Sequence, residues 1–126
     1  MELKVFFAGD QKVYADLGGM IVKTDQTGEA PAPFALFLAS IGTCAGVYVN
    51  GFCQNRGLPT EGITITQRMH TDPETRMIGS IDLEIHVPAT FPEKYHDALI
   101  RVASQSAVKK HLENPPAFQT TVTIDK

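Results

Sequence analysis

Residues 33–57, PFALFLASIGTCAGVYVNGFCQNRG, decide how the rest of the chain is read. Pro33 suits a first helical turn, Gly57 suits a helix stop, and Pro59 cannot continue a helix. Apolar residues at 34, 36, 37, 38, 41, 47, 49 and 52 leave almost no polar face, the pattern of a buried helix. Ser40, Thr43, Asn50 and Gln54 interrupt the run, so no membrane span is expected. The expectation is a long buried central helix with Cys44 in its middle and Cys53 near its end. Such a helix, at about 1.5 Å per residue, spans roughly 36 Å. A chain of 126 residues would struggle to cover it on every side, which points to a partner chain and a homodimer.

Outward from the helix, the chain reads as one domain over residues 1–126. Leu3–Phe7, Lys12–Leu17 and Met20–Thr24 form a meander of three short strands, separated by turns at Ala8–Gln11 and Gly18-Gly19. Ile63–His70 and Ile78–Val87 alternate with period two around a turn at Asp72-Pro73-Glu74, giving a second, half-buried hairpin. Pro92-Glu93 opens a second helix that breaks near Ser104-Gln105, and Ser106–Leu112 forms a third. Phe118–Ile124 reads as a final strand. Grouped strands around separated helices predict an α+β fold rather than a doubly wound parallel sheet.

The formal charge of −3 is mild and no basic block occurs, so nucleic-acid binding is not indicated. Met1-Glu2-Leu3-Lys4 lacks the basic and apolar regions of a secretory signal, and two cysteines do not make a disulfide framework. A cytoplasmic protein is expected, in which any cysteine chemistry is reactive rather than structural.

Cys44 and Cys53 are nine residues apart, on opposite helix faces and roughly 13 Å apart along the axis. They cannot bridge while the helix persists. A reactive cysteine needs a stabilised thiolate. Cys44 lies three turns past the helix start, and its same-face neighbours Ser40, Ile41, Val47 and Tyr48 carry no positive charge. Helix position alone therefore reads Cys44 as a core thiol. Activation would require a charge from elsewhere in the fold or from a second chain. Ser106-x-x-Lys109 has the spacing of some acyl-transfer enzymes, but the companion motifs are absent and the pattern is common on helix surfaces. His70 and His86 could face each other across the second hairpin, while His96 and His111 read as surface. No metal site is expected and no cofactor is indicated.

The run from Ala32 to Cys44, APFALFLASIGTC, resembles the (S/N)-P-x-(E/D)-L-x-x-A-x-x-x-x-C signature of the OsmC and organic hydroperoxide resistance (Ohr) family. The Gln54–Pro59 exit and the Ser106–Leu112 segment are similar to the OsmC-like branch. The resemblance implies an intertwined α+β homodimer with two active sites at the interface. It also implies reduction of organic hydroperoxides by a peroxidatic cysteine, a resolving cysteine and an Arg–Glu pair. Cys44 matches the peroxidatic position. The resolving thiol falls at Ser106, and the acidic residue at Ala35 or Phe34. In place of the arginine the first hairpin offers only Lys12. Cys53 is an extra thiol. Two functions follow from the resemblance: a thiol-dependent hydroperoxide reductase using Cys44, or a dimer that binds a small apolar ligand between Phe34, Phe37, Tyr48 and Phe52 without turnover.

Overall fold

The computed structural model describes residues 1–125. Its elements run β1 (Lys4–Phe7), β2 (Lys12–Asp16), β3 (Ile21–Asp25), α1 (Pro33–Asn55), β4 (Thr64–Thr71), β5 (Ile78–His86), a single 3₁₀ turn (Glu93–Tyr95), α2 (His96–Ala103) and α3 (Ala107–Glu113). This is an α+β arrangement of antiparallel strands and three helices. The chain forms two compact units, Met1–Ser40 and the remainder from Ile41, with the boundary inside α1.

The first unit is an antiparallel sheet in the order β1-β2-β3. Lys4 pairs with Asp16, and Asp16 in turn with Ile21. The β2–β3 hairpin closes through Gly18 and Gly19, both at positive φ (77° and 109°), with Leu17 N–H bonded to the Met20 carbonyl. A two-residue loop with both φ values positive matches the right-handed twist of the flanking strands, and glycine takes it without strain. Beyond β3 the buried Asp25 carboxylate organises the loop. It accepts from the hydroxyl and backbone N–H of Thr27 and from the backbone N–H of Glu29. Those bonds, led by the Thr27 hydroxyl, hold its carboxyl below the ordinary range.

The second unit holds the core. On α1, Ile41, Ala45, Val49, Phe52 and Cys53 are buried, an i, i+4, i+8, i+11, i+12 stripe along one face. Ala45, Val49, Phe52 and Cys53 pack with Phe91, Leu99 and Ala103, and Ile65, Leu83 and Ile85 close over them. In the β4–β5 ladder, Ile65 opposite Ile85, Gln67 opposite Leu83 and Met69 opposite Ile81 alternate with the polar pairs Thr66–Glu84 and Arg68–Asp82. The period of two thus puts one face on the core and leaves the other wet. On the wet face Arg68 reaches Glu84 at 3.7 Å and His70 Nε2 meets Asp82 at 2.7 Å. His70 pairs with Ser80 and His86 with Thr64, so these two histidines do not face each other as the alternation alone allowed.

The end of α1 follows the sequence closely. Gly57 adopts φ 64°, its N–H bonds the Gln54 carbonyl, and the Leu58 N–H bonds the Cys53 carbonyl. This Schellman arrangement satisfies carbonyls that the helix leaves open.

Within a single chain the central helix is buried along one stripe, and Phe34, Phe37 and Val47 are exposed, Val47 by 66%. The helix is long and apolar enough to cross a membrane by length and composition, yet part of that apolar surface packs in a protein core. The expectation of a final strand is corrected. The alternating Phe118–Ile124 segment is not a strand, and Phe118, Val122 and Ile124 are exposed. A strand exists only when its N–H and C=O groups find a ladder partner, and among the described residues this segment has none in a sheet.

Candidate functional site around Cys44

Cys44 lies on α1 beside the buried stripe and is half-buried. The chain returns to it sixty-two residues later, where α2 ends and Ser106 begins the next turn. Ser106 is the N-cap of α3 and is 1% exposed. Its Oγ accepts the Lys109 N–H at 3.2 Å, as an N-cap serine does. With that lone pair used, the hydroxyl proton is free to donate to the Cys44 sulfur. The backbone N–H groups of Val108 and Ala107 donate to the same sulfur.

These donors pull the Cys44 thiol below its ordinary value of 9.0. The Ser106 hydroxyl is the largest cause, followed by the Val108 amide. Partial burial opposes the shift, and the Ala107 amide adds to it. The thiolate is therefore favoured by hydrogen bonds from its own chain, the microenvironment in which a cysteine becomes nucleophilic. Neutral donors at the start of α3, elsewhere in the fold from the helix that bears Cys44, lower the thiol pKa. The Ser-Ala-Val-Lys stretch, read from sequence as an ordinary surface pattern, supplies them.

Cys53 is the opposite case. It is 0% exposed within the core, and burial pushes its thiol up from 9.0. The two thiols thus bend alkaline stability in opposite directions. The lowered Cys44 adds stability as pH rises from its folded pKa towards 9.0, and that contribution is lost as pH falls back through the folded value. The raised Cys53 contributes fully below 9.0, and its contribution is lost as pH rises towards its folded value.

The other sequence-derived candidates divide. Lys12 is engaged in the first unit by Glu29 at 3.1 Å, and that carboxylate raises its pKa. Phe34 and Phe37 stack on each other at 5.6 Å. Tyr48 and Phe52 line a groove of about 570 Å³ between the second half of α1 and α2. At its end the guanidinium of Arg56 lies 3.9 Å from the Phe52 ring centroid. Arg56 and Arg101 both lie in the groove lining. No cluster of three or more metal-binding side chains occurs among the described residues.

Comparison with known proteins agrees with this architecture. No curated protein matches the chain by sequence. Among solved structures, a protein of Psychrobacter arcticus 273-4 described as an osmotic stress induced and detoxification response protein superposes with a TM-score of 0.70. It is 19% identical, over 86% of this chain and 85% of that one. An OsmC-like protein of Mycoplasma pneumoniae gives 0.62 at 17% identity, over 90% and 87%. An OsmC-like hydroperoxide resistance protein of Jannaschia sp. CCS1 gives 0.50 at 17% identity, over 95% and 89%. At these identities the likeness concerns the fold. The family profile for OsmC-like proteins matches residues 26–121, which include α1 with Cys44 and α3 with its serine cap, and the chain belongs to the OsmC-like protein family.

Proposed function

We propose that the protein reduces organic hydroperoxides with Cys44 as its single redox thiol. The observation that carries this reading is the convergence of the Ser106 hydroxyl and the Val108 and Ala107 amides on the Cys44 sulfur. Family membership and the hydroperoxide resistance named for the Jannaschia relative point to the same chemistry.

The Cys44 thiolate attacks the terminal oxygen of the hydroperoxide. A sulfur–oxygen bond forms, the O–O bond breaks, and the alkoxide leaves and takes a proton to become the alcohol. The sulfur is oxidised to a sulfenic acid while the peroxide is reduced. A small external thiol then attacks that sulfur, expelling water and leaving a mixed disulfide. A second thiol releases Cys44 as the thiolate. External thiols are required because Ser106, which the resemblance places at the resolving position, carries no thiol, and Cys53 is sealed in the core. Ser106 acts as a positioning residue through its donated hydrogen bond. A reducing cytoplasm suits the cycle, and no cofactor takes part. The reading is tested by supplying cumene hydroperoxide with excess dithiothreitol: consumption proportional to protein supports it, and a rate equal to the protein-free background overturns it.

A homodimer belongs to the same proposal. The exposed Phe34, Phe37 and Val47 on α1, together with Phe118, Val122 and Ile124, leave more apolar surface than one soluble chain usually carries. Light scattering at micromolar concentration is expected to give twice the chain mass; the mass of a single chain refutes the dimer.

A further inference from the structure

A sulfenic acid on Cys44 needs a thiol to return it to the thiolate, and the chain supplies none. Its two cysteines are Cys44 and Cys53. Cys53 is sealed in the cluster with Phe91 and Leu99. Nine residues of intact helix turn it to the face opposite Cys44, so no disulfide joins the two while α1 persists. What the fold does bring to the Cys44 sulfur is the Ser106 hydroxyl. That hydroxyl is fixed: Ser106 is buried, and its Oγ is held by the Lys109 N–H as the cap of α3. Oxygen in that place makes a hydrogen bond and cannot make a disulfide. Cys44 itself is only half-buried, within reach of reagents from solution. Two such reagents compete for its sulfenic acid: a small thiol, which completes the cycle, and a second hydroperoxide, which does not.

We propose that organic hydroperoxide in excess over thiol switches the protein off by oxidising Cys44 to its sulfinic acid. The sulfenate sulfur attacks the terminal oxygen of a second hydroperoxide. A second sulfur–oxygen bond forms and the O–O bond breaks. The alkoxide leaves with the hydroperoxide's proton as the alcohol, and the sulfur remains as the sulfinate. Sulfur is oxidised and peroxide reduced, with no further reactant. Small thiols do not reduce a sulfinic acid, so the off state persists. The ratio of hydroperoxide to thiol then sets the fraction of active protein. This inference rests on the hydroperoxide reading of Cys44.

The test exposes the full chain to rising cumene hydroperoxide with dithiothreitol limiting, removes the peroxide, and measures consumption again with dithiothreitol in excess. Consumption is expected in the first turnovers, followed by loss of at least about nine-tenths of the activity, which dithiothreitol does not restore. The peptide carrying Cys44 is expected to gain the mass of two oxygen atoms. Ser106→Cys puts sulfur where the hydroxyl meets Cys44. It is expected to trap the sulfenic acid as a disulfide and to keep most of its own starting rate through the same exposure. The wild-type mass decides the matter whether or not that variant folds. Absence of consumption in the first turnovers overturns the hydroperoxide reading and this inference together. Normal first turnovers with full recovery in dithiothreitol overturn this inference alone. In that case a disulfide between two chains names a second copy as the trap, and a mass lower by two hydrogen atoms names a backbone amide of α3.

Discussion

Replacement of Cys44 by serine is expected to lower thiol-supported consumption of organic hydroperoxide to the uncatalysed background. Oxygen is close to sulfur in size, and Cys44 is half-buried at the edge of the core, so the fold survives the exchange. What is lost is the chemistry. An alkoxide is out of reach near neutral pH, whereas a thiol already poised below 9.0 ionises readily. Serine also has no counterpart of the sulfenic acid on which the cycle turns. Cys53→Ala serves as the contrast. It deletes a buried sulfur from the core, so stability falls, but turnover at a permissive temperature is retained. Peroxide consumption followed by residual hydroperoxide, with dithiothreitol in excess, separates the two variants. Equal rates in wild type and Cys44→Ser would remove the enzymatic reading.

The largest expected effect on stability is at Leu99. Its side chain is 2% exposed and belongs to the cluster that joins α2 to the α1 stripe. Leu99→Ala is expected to cost about 2–5 kcal/mol, the range for truncating a buried leucine whose surroundings relax only in part. Leu99 also lines an open pocket between β5 and α2, which the truncation enlarges. Set against a total of about 5–15 kcal/mol, such a loss is visible at once in a urea or guanidinium titration. Ile100, one residue on, is 61% exposed, and its truncation is expected to cost about 0.5 kcal/mol or less. Similar midpoints for the two variants would place the core elsewhere.

How much of this was legible in the sequence depends on the range over which each feature is decided. The stop of α1 is local: Gly57 followed by Leu58 and Pro59 specifies the cap, and the structure forms it there. The β4–β5 hairpin is local too, since the alternation of Ile81, Leu83 and Ile85 with charged residues fixes which face is buried. The break between α2 and α3 falls where Ser106 can cap the next helix. Which stripe of α1 is buried was not legible, because Ala45 and Cys53 enter the core while Phe34 and Phe37 stay exposed, against hydrophobicity but in step with the 3.6-residue period. The Phe118–Ile124 segment carries strand propensity without a ladder to join, and pattern alone cannot supply an edge.

The candidate site was half legible for the same reason. Cys44 was found through a motif, and Ser106 was placed by the same resemblance at the resolving position. Their meeting is a long-range fact. It depends on α3 starting against the middle of α1, so that backbone N–H groups which carry no residue-specific signal reach the sulfur. Arguments limited to the helix that bears Cys44 found no activator because none lies on it.

The central claim is that the Cys44 sulfur is a stabilised thiolate held by the start of α3. The most direct measurement is the rate of alkylation of native protein by iodoacetamide across pH, with Cys44 and Cys53 resolved on separate peptides by mass spectrometry. Cys44 is predicted to react with a midpoint below 9.0, to move upward in Ser106→Ala, and to outpace Cys53, which burial shields. A Cys44 midpoint at or above 9.0, indifferent to the loss of the Ser106 hydroxyl, would contradict it.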